Sequence, residues 1–273
     1  MSNPIVSVII PVYCATEEHE KFLFHALISV SEQTFRDFEV IIVDDVSPRD
    51  ISPIIARAGE LPRLQIIRNE TNLRHAASRN IGAQAAKGEF IAFLDHDDLW
   101  EPEKLERQLE IFRKNPEAAM VFSGVKAFGS HSQLFKIDQS KIPTRPNFEW
   151  FMRHGNYVIT ASAVMVRKKA LEEIGLFDTR YTTSDDLDAW LKISLRWPLI
   201  FMAEPLTGYR MHSANVNYSV DRLNDTRLLL KHYLDFYKKA PIRTKLRLSK
   251  TMLRKFGGQI YFRFFRKPKH PDS

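Results

Sequence analysis

The sequence contains a single cysteine, Cys14, among 273 residues. A lone cysteine excludes an internal disulfide framework and a cysteine-rich zinc site, and it fits a reducing compartment. No apolar run approaches the roughly 18 residues needed to span a bilayer, and the first residues lack the basic lead of a secretory signal. We therefore expect a cytoplasmic protein, one that can still be peripheral on the cytoplasmic face of a membrane.

Glycine-rich phosphate loops are also absent. Neither the GxGxxG nor the GxxxxGK[ST] pattern occurs among the ten glycines, which argues against a dinucleotide-binding or P-loop enzyme. Hydrophobic residues nevertheless make up 44% of the chain. That share is enough to bury a sizeable core and excludes a disordered chain.

The net charge of +7 is concentrated at the C-terminal end. Residues 226–273 hold 14 Lys/Arg against two Asp, a net of +12, whereas residues 1–225 have a net charge of −5. The basic character therefore describes a tail and not the body of the protein. We expect no nucleic-acid partner.

Hydrophobic periodicity predicts an α/β fold with a Rossmann-like, mostly parallel sheet flanked by helices, because strand and helix signals alternate at short spacing. The predicted strands cover residues 6–13, 38–43, 64–68, 90–94, 120–128 and 157–166. The predicted helices cover residues 17–32, 76–87, 103–113 and 187–196, with a loop over 129–147.

Polar side chains follow several predicted strands, at the sheet edge where such folds bind ligands. Tyr13 offers a ring on which a base can stack, and Asp45 can accept a hydrogen bond from a base N–H. Each of them alone could equally be a half-buried tyrosine or a turn aspartate. Their occurrence together at one edge favours a nucleotide site.

Asp95 and Asp97 are two residues apart, so they would share one face if the strand persists to that point. Paired carboxylates with diphosphate oxygens suit Mg²⁺ or Mn²⁺. The alternative is a solvated acidic cluster in which Asp98 caps the following helix. Arg79 and Arg210 are candidates for contact with a diphosphate.

Two further features are weak when taken alone. Asp185 and Asp186 precede a predicted amphipathic helix, and one of them could simply cap it. His212 follows a short strand-like run, and an isolated histidine is usually structural.

At this point the sequence resembles the family 2 inverting glycosyltransferases over roughly residues 5–218. The resemblance rests on several segments that occur in order and at the spacing of the family. They are 6–13, 33–45, Ser78–Gly82, Gly88–Asp98, Phe177–Asp178, Asp185–Trp190 and Tyr209–His212.

The resemblance implies a glycosyltransferase A-type fold, a nucleoside-diphosphate-sugar donor and a divalent metal, Mn²⁺ or Mg²⁺. It assigns each candidate residue a role by position. Pro11, Tyr13 and Asp45 match the nucleoside-binding segment, Arg79 an arginine near the base and phosphates, Asp95-His96-Asp97 the DxD motif with Asp97 on the metal, Asp186 the catalytic base, and His212 a histidine near the metal or diphosphate.

The sequence departs from the family at four positions. Val46 and Arg74 stand where glycine is common, Cys14 where asparagine is common, and Asp185 where glutamate is more frequent. None of these differences removes a reacting group.

These observations predict a metal-dependent inverting hexosyltransferase that acts on a hydroxyl of a glycan or lipid-linked acceptor, in cell-surface polysaccharide or glycolipid biosynthesis. UDP is the expected donor nucleotide and TDP the second candidate, because a carboxylate that reads an imide N–H tolerates either base. The alternatives are a sugar-binding or scaffolding relative without turnover and a sugar-nucleotide pyrophosphorylase. The latter normally carries a glycine-rich basic loop where this chain has Val12-Tyr13-Cys14-Ala15.

We predict a nucleotide-sugar-binding and catalytic domain over residues 1–220 and a basic, amphipathic helical extension over residues 221–273. Apolar side chains recur at helical spacing in this tail, which also contains most of the excess lysine and arginine. The tail either packs on the catalytic domain or a second subunit of a homo-oligomer, or it lies on an anionic membrane surface.

Overall fold

The computed structural model describes residues 3–154 and 156–213, together with Asp225, Leu228, Leu229, Leu234 and Lys238. The predicted tail otherwise lies outside the described residues. The strands are β1 (Val6–Val12), β2 (Phe38–Asp44), β3 (Gln65–Arg68), β4 (Phe90–Phe93), β5 (Leu99–Trp100), β6 (Met120–Phe128), β7 (Val164–Arg167) and β8 (Leu199–Arg210). The helices are α1 (Glu17–Ser31), α2 (Ser52–Arg57), α3 (Arg74–Ala85), α4 (Lys104–Lys114), α5 (Phe148–His154), α6 (Lys168–Glu173) and α7 (Asp185–Ser194).

The described strands form one sheet in the order β3-β2-β1-β4-β7-β6-β8-β5. The first four of these are parallel, β7 runs antiparallel to both of its neighbours, and β6 and β8 are again parallel. The predicted mostly parallel sheet with flanking helices is therefore confirmed, although β7 and β5 make it a mixed one.

The core lies on both faces of the sheet, because alternate residues of the buried strands point in opposite directions. Val8 and Ile10 pack on one side with α1 and α4, whereas Ile9 packs on the other with α7. Gly82 of α3 lies so close to β1 that a Cβ atom there would approach Ile9 Cγ2 to 2.5 Å. The absence of a Cβ atom at Gly82 therefore lets α3 pack closely against the sheet.

The register aligns the strand ends that carry the predicted site. Val12 at the end of β1 pairs with Asp44 at the end of β2, which pairs with Arg68 at the end of β3. The residues that follow β1, β2 and β4 therefore emerge at one edge of the sheet.

The predicted strand over 157–166 is wrong for its first seven residues. Residues 161–163 form a 3₁₀ turn, and only Val164–Arg167 pairs in the sheet. Thr160 caps this turn by accepting a hydrogen bond from the Ser162 N–H at 3.1 Å, and such side-chain bonds compete with strand pairing. Helices α2, α5 and α6 and strand β5 were not predicted, and only a short strand-like run was predicted where β8 extends over twelve residues.

No helix in residues 3–154 and 156–213 combines the length and the apolar character that a bilayer crossing requires.

Candidate active site

A cavity of about 570 Å³ opens at the carboxyl edge of the parallel strands. It is lined by every predicted site residue except Arg210 and His212, which lie behind the loop that follows β4. The sequence prediction that these segments converge is therefore consistent with the structure. The cavity has three parts.

The first part lies at the ends of β1 and β2. The Tyr13 side chain is 42% exposed, which leaves its ring available to a ligand. Asp45 is buried, and its Oδ1 accepts hydrogen bonds from Asn69 Nδ2 at 2.7 Å and the Leu73 N–H at 2.8 Å. Its Oδ2 accepts the Arg74 N–H at 2.8 Å. Because a carboxylate oxygen has two lone pairs, Oδ2 retains capacity for one further donor.

The backbone on both sides of this carboxylate is left-handed. Val46 has a φ of 62° and Arg74 a φ of 68°. Side chains with a Cβ disfavour this region, and a β-branched residue such as valine does so most strongly. Glycine is common at both positions in the family that the sequence resembles. Val46 and Arg74 therefore adopt a backbone conformation that glycine adopts with less strain.

The second part is the loop after β4. Because β4 ends at Phe93, Asp95 and Asp97 do not share a strand face, and that conditional expectation is not met. Asp95 Oδ1 accepts a hydrogen bond from Arg79 Nη2 at 2.6 Å, whereas Asp97 Oδ2 lies 3.0 Å from His212 Nε2. The loop thus directs its two carboxylates to different partners.

Asp98 does not cap a helix. It is buried, and it accepts hydrogen bonds from Thr160 Oγ1 at 2.8 Å and the Arg210 N–H at 3.0 Å. Burial, together with the negative charges of Asp97 and Asp95, raises its pKa well above the ordinary value. Arg210 Nε also donates to the Asp97 backbone oxygen at 2.7 Å, so Arg210 holds the loop from behind.

The ionisable side chains of this loop differ in how the structure shifts their pKa values. Burial acts to raise the pKa of Asp97, but the hydrogen bond from His212 and the nearby His96 outweigh it and lower the pKa. Burial lowers the pKa of His96, whose ring lies edge-on to His19 with 5.6 Å between ring centroids. Asp97 is therefore the anionic side chain of this loop that is best suited to a cation.

We tested whether these residues fit a divalent ion. Within the described part of the chain, no three His, Cys, Asp or Glu side chains cluster closely enough to hold a metal by themselves. Mg²⁺, however, commonly takes only one or two carboxylates and completes its shell with phosphate oxygens and water. Asp97 lines the cavity and supplies a carboxylate, and His212 Nε2 hydrogen-bonds to its Oδ2 at 3.0 Å. A carboxylate oxygen and an imidazole nitrogen are both donors that Mn²⁺ accepts, and His212 would have to give up this hydrogen bond to reach an ion. The donor set fits Mn²⁺.

The third part is the first turn of α7. Asp185 is buried, with Oδ1 2.8 Å from His75 Nε2 and Oδ2 accepting from Arg79 Nη1 at 3.2 Å. Burial acts to raise the pKa of Asp185, but the hydrogen bond with His75 and the positive charge of Arg79 reverse the effect and lower it. Neither Asp185 nor Asp186 caps the helix, because the N-cap is Ser184.

Asp186 has the opposite electrostatic environment. Burial first, and then the negative charge of Asp185, raise its pKa to about 7. Its Oδ1 accepts a hydrogen bond from the Leu187 N–H at 2.6 Å. The two neighbouring carboxyl groups are therefore pushed apart in pKa, and Asp186 becomes the one suited to exchange a proton near neutral pH.

Arg79 joins the second and third parts of the site. It is buried and bridges Asp95 and Asp185, while its Nε atom has no hydrogen-bond partner among the described residues. Burial acts to lower its pKa, but the two carboxylates raise it, so the guanidinium stays charged. Two of its five N–H donors hold carboxylates, and these two bonds leave the Nε N–H and one N–H on each terminal nitrogen unused.

Several residues that line the cavity were not predicted as site residues. They are Asn72, Arg74, His75, Thr160, Thr183 and Tyr209. His75 and Arg74 precede the Ser78–Gly82 motif closely enough to have been suspected. Thr160 sits in an apolar run that was interpreted as a strand, and it gave no local signal.

The family model described as Glycosyl transferase family 2 matches residues 7–175. An uncharacterized glycosyltransferase of Haemophilus influenzae is 29% identical over 242 residues, covering 86% of this chain and 79% of the relative. The amylovoran biosynthesis glycosyltransferase AmsB of Erwinia amylovora is 27% identical over 220 residues, covering 77% of this chain and 71% of AmsB.

The chain is also similar in structure to residues 1–349 of S. aureus TarS, crystallised with UDP-GlcNAc. The TM-score is 0.74 at 19% identity, over 96% of this chain and 76% of that one. At this identity the likeness concerns the fold, and it supports the predicted glycosyltransferase A-type architecture.

Proposed function

Because this chain belongs to glycosyl transferase family 2, we propose that it is a metal-dependent, inverting hexosyltransferase. It would move a sugar from a nucleoside-diphosphate sugar to a hydroxyl of a glycan or lipid-linked acceptor. The observation that carries the proposal is the single cavity that joins Tyr13, Asp97 and Asp186. The name of AmsB, which refers to amylovoran biosynthesis, supports a role in making cell-surface polysaccharide or glycolipid.

We assign the nucleoside to the end of the cavity formed by Pro11, Tyr13 and Asp45. The exposed Tyr13 ring can stack on a base, and Asp45 Oδ2 can accept one base N–H in addition to the Arg74 N–H. UDP is the preferred nucleotide, and the UDP-GlcNAc bound by TarS supports that choice. TDP is the alternative, because its base offers the same N–H.

We assign the diphosphate to the loop after β4, with Asp97 and His212 as the residues that would hold a divalent ion. When bound, such an ion supplies positive charge against the departing nucleoside diphosphate. Asp95 is turned toward Arg79 and would meet the ribose or sugar, with His96 beside it. Arg210 positions Asp97 by donating a hydrogen bond to the backbone oxygen of Asp97.

Asp186 would act as the general base of a single displacement. The acceptor oxygen attacks the anomeric carbon as its proton passes to Asp186, and the bond from that carbon to the diphosphate breaks with its electron pair. No enzyme nucleophile is needed. A carboxylate with a pKa of about 7 matches this task near neutral pH, while Asp185, paired with His75 and Arg79, stays ionised beside it.

The proposal places the chain in the cytoplasm, with the basic tail as a candidate contact to the cytoplasmic face of the membrane. An anionic leaflet attracts polybasic segments by about 1 kcal/mol per lysine or arginine near the surface. Such a contact would bring a lipid-linked acceptor to the active site.

A thermal-shift screen of UDP- and TDP-sugars with Mn²⁺ tests the proposal. A donor at 100 times its Kd adds about 2.7 kcal/mol to the free energy of unfolding, which gives a clear rise in Tm. Tyr13→Ala should abolish the shift. Leu134→Ala, which removes a similarly exposed side chain outside the cavity, should keep it.

The screen is followed by an assay for release of the nucleoside diphosphate with Mn²⁺. Release would show turnover, whereas a Tm shift without release would identify a sugar-binding relative. If no nucleotide sugar shifts Tm, the proposed function is wrong.

A further inference from the structure

One carboxylate from the segment after β8 holds the loop that leads into α7. Asp225 Oδ1 accepts the Thr182 N–H at 2.9 Å. Asp225 Oδ2 accepts the Thr183 N–H at 2.9 Å, the Thr183 hydroxyl at 2.9 Å and the Ser184 N–H at 3.0 Å. Three consecutive backbone N–H groups thus converge on one side chain that is 2% exposed.

These contacts hold the backbone just before the helix, whose own N-cap side chain contributes nothing. Ser184 is the N-cap of α7, but its side chain makes no capping hydrogen bond. Burial acts to raise the pKa of Asp225, but the N–H groups of Thr182 and Thr183 outweigh it and lower the pKa. Asp225 is therefore ionised, and charge-assisted hydrogen bonds of this kind are stronger and better oriented than neutral ones.

The loop that Asp225 holds is part of the reacting end of the cavity. Thr183 lines the cavity together with Asp185 and Asp186. Only Ser184 and Asp185 separate Thr183 from Asp186, so a shift of the loop moves the Asp186 carboxylate relative to an acceptor hydroxyl. Misplacement of a catalytic group by about 1 Å can cost about 100-fold in rate.

We propose that Asp225 is a positioning residue for sugar transfer, which fixes the loop Thr182–Ser184 and through it the Asp186 carboxylate. The inference rests on the proposed function. It also makes a residue beyond the predicted catalytic domain part of the catalytic arrangement.

The test compares full-length Asp225→Asn with the wild-type protein. However the amide turns, its NH₂ group faces an N–H donor of the loop, so at least one of the present contacts is replaced by a repulsive one. We expect kcat to fall by about 10- to 100-fold with the donor Kd unchanged. Hydrogen exchange of the peptide that contains Thr182–Ser184 should become faster.

Glu39→Gln is the matched control. Glu39 is also a buried carboxylate that accepts a hydroxyl and a backbone N–H, from Ser7 at 2.6 Å and Lys87 at 2.6 Å. It lies near the start of β2, away from the cavity. We expect this control to lower Tm and to leave kcat unchanged, which separates positioning from general destabilisation.

Thr183→Val is a milder variant in case Asp225→Asn does not fold, since it removes only the hydroxyl contact. We expect a fall in kcat of a few-fold. Wild-type kcat in every folded variant, or unchanged hydrogen exchange in Asp225→Asn, would overturn the inference alone. A wild-type protein that turns over no nucleotide sugar would instead overturn the proposed function and this inference with it.

Discussion

Replacement of Asp186 by asparagine removes the proposed proton acceptor and preserves the size of the side chain. Because general-base assistance is worth about 10²- to 10⁴-fold, we expect kcat to fall by about that factor. The donor Kd should stay near the wild-type value, since Tyr13 and Asp45 lie at the other end of the cavity. Initial rates at saturating donor, with Kd from titration, separate the two effects.

The pH dependence of the wild-type enzyme follows from the same group. With a pKa of about 7, Asp186 is about 1% ionised at pH 5 and about half ionised at pH 7. The value of kcat/KM, which reports the free enzyme, should therefore rise about 100-fold from pH 5 to a plateau above pH 8. In Asp185→Asn the neighbouring negative charge is lost, which lowers the pKa of Asp186. The rise in the residual activity should therefore occur at a lower pH than in the wild type.

Measurements of stability against pH check independently that folding raises the pKa of Asp186. The pKa of Asp186 is raised from 3.8 to about 7 on folding, so its protonated form is favoured in the folded state. The contribution of Asp186 to the free energy of unfolding is complete below pH 4 and is lost as pH rises toward 7. The loss is at most about 4 kcal/mol, at 1.4 kcal/mol per pH unit. Asp186→Asn removes this loss. Its Tm should exceed that of the wild type at pH 8, and the difference should vanish near pH 4.

The reasoning is refuted if Asp186→Asn keeps wild-type kcat. If Asp185→Asn alone abolishes turnover, the base is Asp185. A lower Tm for Asp186→Asn at pH 8 would contradict the assigned electrostatic environment, whatever happens to the rate.

Three further expectations concern the metal, the core and the tail. EDTA should abolish transfer and Mn²⁺ should restore it, and Asp97→Asn should be inactive with an unchanged circular dichroism spectrum; full activity in EDTA would exclude the metal-dependent mechanism. Lys104 is fully buried beside Trp100, and burial holds its pKa well below 10.5. Because the unfolded chain then binds the extra proton, stability rises with pH toward 10.5. Lys104→Met removes this dependence and also the donor to Gln108 Oε1, so the Tm of the variant relative to the wild type should fall from pH 7 to pH 10; calorimetry showing the same difference at both pH values would contradict this. Full-length protein should float with anionic liposomes and a chain ending at Ala240 should not; equal recovery of the two, or binding by neither at low salt, would exclude the tail as a membrane anchor.

The sequence was sufficient for the parallel half of the sheet. Buried parallel strands give continuous apolar runs, and the residues after them could be placed at one edge without coordinates. The strand predicted over 157–166 was wrong for residues 157–163, because the apolar pattern does not show that Thr160 bonds to Asp98 and caps a turn. Long-range hydrogen bonds of this kind leave no periodic signal.

The different roles of the two neighbouring carboxylates could not be predicted from the sequence either. Sequence placed Asp185 and Asp186 side by side, but their pKa values diverge because His75 and Arg79 contact only Asp185. Asp225 could not have been found, since nothing near it in the chain hints at Thr182–Ser184. By contrast, Val46 and Arg74 were flagged as departures, and their positive φ angles explain why glycine is common there.

The hydrogen bonds behind the loop after β4 also bear on the order in which the protein folds. Asp97 meets His212 and Asp98 meets Arg210 across 115 and 112 residues of sequence, whereas Cys14 and Ser47 beside the nucleoside end are only 33 apart. Contacts that close longer loops have a higher entropic cost and form later. The nucleoside end should therefore form first and the diphosphate end last. Near the onset of unfolding, we expect a species that still binds the nucleotide after it has ceased to transfer the sugar.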